Sequence, residues 1–221
     1  MPEESHPPFT KMTTEERLAY FTLPMALNYQ RDSYKLWKAA LLTYNDSETK
    51  TVFDITNPLD EKELQQKLLK HKLALQPNKH PQTWAKISRT IQEEYGSLTN
   101  LIKTAQNDFL SLREMIQVKH KKGFPYISGP KIFNYWAFII QEYGGATLTN
   151  TEYIEIAPDT HITQCSIKLG IIDKNEALGI TKEEISKKWR EVLFESGITP
   201  IQMHPPLWFW SRNGFIYKLK N

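Results

Sequence analysis

Cysteine is nearly absent from this chain: Cys165 is the only one. That excludes an intramolecular disulfide framework and suits a reducing compartment. Nowhere do apolar residues run unbroken for the roughly 20 positions that span a bilayer. Met1 to Pro8 lacks the basic and apolar regions of a secretory signal. There is no internal repeat and no low-complexity tract, which removes solenoids and arrays from consideration. Alternation at the strand period is also scarce, apart from Thr147 to Ile156, where a short strand is expected. These absences describe an intracellular, cytoplasmic protein without a membrane partner.

What remains is a chain of 221 residues, 40% apolar and 24% charged, enough to bury one large core or two lobes sharing a cleft. A formal charge of +3 is too small to imply a nucleic-acid partner by itself. Its distribution says more, because Lys119, His120, Lys121 and Lys122 form one basic run. Taken alone, such a run reads as a solvated face.

Helical patterns dominate. Thr13-Thr-Glu-Glu16 reads as a capping box that opens the first helix. Further helices are expected over Leu36 to Tyr44, Glu61 to Leu75, Thr83 to Tyr95, Leu98 to Thr104 and Asp108 to Val118. Asn45 to Asp60 is polar and turn-rich, and Gln76 to Pro81 separates two helices. Thr181-Lys-Glu-Glu184 is a second capping box, opening a helix on which Ile185, Trp189, Val192 and Leu193 keep helical spacing until Ser196-Gly197. The expected fold is all-α: one globular unit over 1–221 with two helical lobes, an unplaced boundary between them, and a flexible tail over 1–10.

Two segments carry chemistry. Gly123-Phe-Pro-Tyr-Ile-Ser-Gly-Pro-Lys131 sets a lysine directly after a turn, at the head of the apolar stretch Ile132 to Ile140, with Pro130 as helix-start punctuation. Pro158-Asp-Thr-His161 sets Asp159 as an N-cap before Ile162, Ile167 and Leu169. A lysine can supply an amine nucleophile and an aspartate a carboxylate, each at a helix start. Taken singly, Lys131 reads as a solvated lysine in a first helical turn and Asp159 as an ordinary cap.

Together, the hairpin with its lysine and the following Asp-Thr-His resemble the helix-hairpin-helix DNA glycosylase superfamily, which includes endonuclease III and the 8-oxoguanine glycosylases. Met25 to Asp32, Trp84 to Gly96 and the tail from Pro200 to Arg212 extend the resemblance, the tail being similar to the closing segment of the archaeal 8-oxoguanine enzymes. The resemblance implies a two-lobed helical fold with a helix-hairpin-helix at 119–140 lining the cleft. It makes Lys131 the nucleophile and Asp159 the catalytic carboxylate, and a shifted register would give the lysine's role to Lys122 or Lys121. The hairpin lacks Leu-Pro-Gly-Val-Gly wording, and 28 positions separate Lys131 from Asp159, with a longer connector than compact members have. One cysteine cannot build the four-cysteine iron–sulfur cluster of many endonuclease III relatives. No metal cofactor is expected, although related hairpins hold a monovalent cation on backbone carbonyls.

The implied activity is base-excision repair, with glycosylase and abasic-site lyase steps on double-stranded DNA holding an oxidised base, 8-oxoguanine foremost. The enzyme extrudes the damaged nucleotide; a neutral lysine, its charge suppressed by burial against Tyr135, Trp136 or Phe124, then attacks C1′. DNA binding is assigned to Lys121, Lys122, Gly123, Ile127, Ser128 and Gly129, with backbone N–H groups of Ile127 to Gly129 on phosphate and Gly129 allowing close approach. Gln30 fills the space left by the flipped base, and Trp37 and Trp210 stack on it, with Trp208 and His204 as further candidates. At this density of aromatics, core packing competes with the stacking role. The implied protein is a monomer, nucleoid-associated in a bacterial cell. An oxidised-pyrimidine glycosylase, a hairpin DNA-binding module without chemistry, and an unrelated helical interaction protein stay open as alternatives.

Overall fold

A computed structural model of the protein describes residues 1–28 and 31–217. It is all-α, with helices joined by short 3-10 and π turns and no strand among the described residues. Where Thr147 to Ile156 suggested a strand, only one isolated parallel bridge forms, Thr149 with Asp108. The next residues coil into a 3-10 turn, Thr151–Tyr153, which takes the backbone out of any ladder. No helix among the described residues is long and apolar enough to cross a membrane. The chain divides into two compact units, Met1–Thr149 and Asn150–Asn221.

The first unit contains α1 (Thr14–Ala26), α2 (Ser33–Asn45), α3 (Glu61–Lys70), α4 (Lys79–Tyr95), α5 (Leu98–Thr104), α6 (Phe109–Glu114) and α7 (Pro130–Ile139). Thr13 and Glu16 form the capping box that starts α1, so its first N–H groups are satisfied locally. From Leu18 to Ala26 every residue of α1 is buried, which makes it the central helix of this unit, in contact with α2, α4, α5 and α7. Its buried Thr22 hydroxyl is satisfied: it donates to the Leu18 carbonyl and accepts from the Trp136 indole N–H of α7 at 3.0 Å. On α4, the buried Trp84 indole donates to the Val52 carbonyl at 2.8 Å.

Helix α3 stops at Lys70, short of the expected Leu75. Lys72 turns left-handed (φ 59°) and the Ala74 N–H folds back to the Leu68 carbonyl at 2.8 Å. Lys70 and His71 both reach Asp46, at 2.8 and 2.6 Å, tying the end of α3 to the end of α2. Hydrogen bonds from Lys70 and then His71 hold the Asp46 carboxyl well below the usual carboxylate range.

Residues 1–10 are not a loose tail. Pro2–Glu4 and Phe9–Lys11 form 3-10 turns that pack onto the first unit. Glu3, 1% exposed, accepts a hydrogen bond from the Tyr135 hydroxyl at 2.7 Å, and Tyr20 donates to the Ser5 carbonyl. His6 stacks on Phe9, and the Arg17 guanidinium lies 4.0 Å above the other ring's centroid, that of Phe9. Two prolines at 7 and 8 restrict the backbone before folding and so lower the cost of ordering the segment.

The second unit holds α8 (Thr160–Lys168), α9 (Lys182–Leu193) and α10 (His204–Arg212). Its core gathers Ile156, Ile162, Cys165, Ile172, Ile185, Trp189 and Leu207. The Thr181/Glu184 capping box starts α9, and Ile185 and Trp189 turn inward as their spacing implied, while Val192 is exposed. The Trp189 indole donates to Ser166 at 2.9 Å, and the Cys165 thiol donates to the Leu207 carbonyl at 3.1 Å, joining α8 to α9 and to α10.

His80, in the first turn of α4, is buried and accepts the Leu75 N–H on Nδ1. Burial, then Arg31 and Lys79, push its pKa down to about 4. The unfolded chain takes this proton near pH 6.5, so the stability that neutral His80 contributes is present above pH 6.5 and is lost as the pH falls towards 4. Urea titrations followed on α4 resonances should show this loss at up to about 1.4 kcal/mol per pH unit. His80→Asn, which keeps an acceptor near Nδ1, should flatten it; an unchanged slope would refute the assignment.

Candidate functional site

The hairpin region begins where α6 continues into a π turn, Met115–Lys119, followed by a 3-10 turn, Lys121–Gly123. Lys119, Lys121 and Lys122 are exposed, while the His120 ring packs edge-on against Tyr95 at 5.6 Å. Phe124 and Ile127 point into the core, 1% and 0% exposed, and anchor the turn from beneath. Gln117 donates to the Ser128 carbonyl at 3.2 Å and fixes the turn to the preceding helix.

This turn satisfies its own backbone. The Ile127 N–H donates to Pro125, Ser128 to Phe124 and Gly129 to Tyr126, at 2.9 to 3.0 Å, and Gly123 donates to His120 at 2.7 Å. The expectation that Ile127, Ser128 and Gly129 offer N–H groups to phosphate is therefore corrected: a donor already engaged within the turn would have to break that bond first. Gly129 has φ −72°, open to any residue, and a Cβ there would meet the Tyr126 carbonyl at 3.2 Å. Gly123 has a packing reason too, since a Cβ would lie 2.6 Å from two side-chain atoms of Thr90 on α4. Of the six residues assigned to DNA, Lys121 and Lys122 alone present exposed charged groups.

Lys131 follows Pro130 at the second position of α7 and is half-buried. Gly129 is the N-cap and brings no side-chain cap. Asp159 is the N-cap of α8: its carboxylate accepts the Ile162 N–H at 2.9 Å, and its carbonyl accepts the Thr163 hydroxyl at 2.8 Å. Lys131 belongs to the first unit and Asp159 to the second.

Near Asp159, His161 Nδ1 meets the Ser211 hydroxyl at 3.0 Å, and Ser211 in turn donates to Gln164 at 3.0 Å. His161 also sits edge-on to Trp208, with ring centroids 5.5 Å apart. These contacts tie α8 to α10. Burial pushes the Cys165 thiol up to about 11, so it stays protonated and unreactive.

The stacking candidates separate. Trp37 is 1% exposed and packed among Tyr20 and Phe21, which corrects its assignment: no base can reach its ring. Trp208 and His204 are buried as well. Trp210 is half-buried, with Phe215 edge-on at 4.8 Å and its indole N–H donated to the Tyr217 carbonyl at 2.8 Å. Gln30 lies outside the described residues.

The residue pattern gave no sign of a concavity in the first unit, a cleft of about 600 Å³ walled by Glu16, Tyr44, Lys50, Phe53 and Ile55. Glu16 was legible as a helix cap, but its partner Lys50 lies in a stretch that reads only as polar loop. Among the described residues no group of three or more His, Cys, Asp or Glu side chains could hold a metal ion. No family model, curated protein or solved structure matches the chain.

Gly123→Ala should lower stability by about 1–3 kcal/mol through overpacking against Thr90. Thr90→Ala should recover much of that loss in the double mutant. Denaturant midpoints check this; full stability in Gly123→Ala alone would remove the packing reason for the glycine.

Proposed function

We propose that the protein is a base-excision DNA glycosylase with abasic-site lyase activity, acting on an oxidised base in duplex DNA, 8-oxoguanine first. One observation carries this reading: Lys131 opens an apolar helix directly behind a self-bonded Ser-Gly-Pro turn, and the Asp of Asp-Thr-His caps α8. That is the arrangement the resemblance calls for. A helix-hairpin-helix of glycosylase type over residues 119–140 is part of the proposal.

In the proposed reaction the neutral Lys131 amine attacks C1′ of the extruded nucleotide. The C1′–N bond breaks and its electron pair leaves with the base, which takes up a proton. The Asp159 carboxylate stabilises the positive charge that develops on the sugar. Loss of a proton from nitrogen and opening of the sugar ring give an imine, from which β-elimination cleaves the strand. Lys119, Lys121 and Lys122 supply the phosphate contacts, through ammonium groups rather than turn amides. No cofactor enters the steps; a monovalent cation on the hairpin carbonyls is the one ion the reading admits.

Borohydride, which reduces an imine to a stable amine, is the direct test. Incubation with duplexes carrying 8-oxoguanine, an oxidised pyrimidine or an abasic site should trap a covalent adduct that Lys131→Gln abolishes and Asp159→Asn slows. Retention of the adduct in Lys131→Gln would move the nucleophile to Lys122 or Lys121. No adduct on any duplex would overturn the lyase.

Replacing Lys119, Lys121 and Lys122 by Gln should reduce the slope of log binding constant against log salt by about 1 per lysine. An unchanged slope would place the DNA elsewhere on the surface.

A further inference from the structure

The 600 Å³ cleft of the first unit has no part in the proposed glycosylase chemistry, and its size falls within the range of small-molecule sites. The start of α1, the end of α2 and the residues from Lys50 to Thr56 enclose it. Tyr44 and Phe53, edge to face at 5.5 Å, make an apolar floor with Ile55. Glu15, Glu16 and Asp54 face it with a single cation, Lys50, so the wall is net negative. Glu15 is fully engaged in capping α5 through the N–H groups of Leu98 and Thr99, and Asp54 accepts from Thr56 and Asn57. Glu16 is the carboxylate that meets a cation here.

Lys50 displays how the cleft takes an ammonium group. Its Nζ lies 4.5 Å from the Tyr44 ring centroid and 3.0 Å from Glu16 Oε1, so an aromatic face and a carboxylate receive one charge together. This ammonium is on a flexible, partly exposed side chain, 42% accessible, and can swing out to water.

We infer that the cleft binds a small organic cation with an apolar body, an arylalkylamine in type, whose ammonium displaces that of Lys50 from Tyr44 and Glu16 while its hydrocarbon part covers Phe53 and Ile55. Such a ligand matches the floor and the wall at once. An anionic ligand would meet three carboxylates, and a neutral one would leave Lys50 in place.

Phenethylammonium is the probe, with 2-phenylethanol and 3-phenylpropionate as neutral and anionic controls, titrated into the full-length isotope-labelled protein. Saturable amide shifts are expected at Tyr44, Lys50, Thr51 and Ile55, with the alcohol binding about tenfold more weakly and the carboxylate not at all. Lys50→Met removes the internal competitor and should tighten phenethylammonium binding about fivefold. Glu16→Gln should weaken it about tenfold while leaving α1 capped, because glutamine serves in a capping box as glutamate does. Equal binding of the alcohol, an unchanged affinity in Glu16→Gln, or shifts absent from these residues would overturn the inference.

Discussion

Nine consecutive residues of α1, Leu18 to Ala26, leave water no face of that helix, so each element around it in the first unit must present apolar surface inward. α2 meets this demand with Leu36, Trp37 and Ala40, and α7 with Phe133, Trp136 and Ala137. Trp37 is large, aromatic and near the amino-terminal side of the chain, as a base-stacking residue could be, but the helix beside it needs the ring. Hydrophobic demand and the Thr22–Trp136 hydrogen bond together fix α7, and with it the start of the helix on which Lys131 sits.

The all-α class and most helices were legible because they rest on local signals. Both capping boxes, Thr13/Glu16 and Thr181/Glu184, formed as their spacing implied, and Asp159 caps α8. Misreadings came where tertiary contacts decide. The end of α3 is set by Asp46 and by a left-handed Lys72, and neither is visible in the helical pattern of Glu61 to Leu75. Residues 1–10 looked loose because the partners of Glu3 and Ser5, Tyr135 and Tyr20, are distant in sequence. Period-2 alternation at Thr147 to Ile156 had no neighbouring strand among the described residues to pair with, so it stayed a single bridge.

The candidate site divides along the same line. Lys131 and Asp159 could be placed at helix starts from proline and capping chemistry alone. The hairpin's backbone bonding could not be read, because whether an amide faces outward depends on φ and ψ values that Tyr126, at φ 64°, sets against its own preference. The result is a stiff turn whose outward chemistry lies in lysine side chains. The acidic cleft was missed for a related reason: Glu16 and Lys50 are 34 positions apart and form one feature only after folding.

The bond between Glu3 and Tyr135 spans 132 positions and joins the first turn of the chain to the helix that carries Lys131. Local opening of α7 would have to break it and expose a buried carboxyl. Unwinding α7 as far as Tyr135 therefore costs more than unwinding an isolated helix, because it also takes the donor from the Glu3 carboxylate.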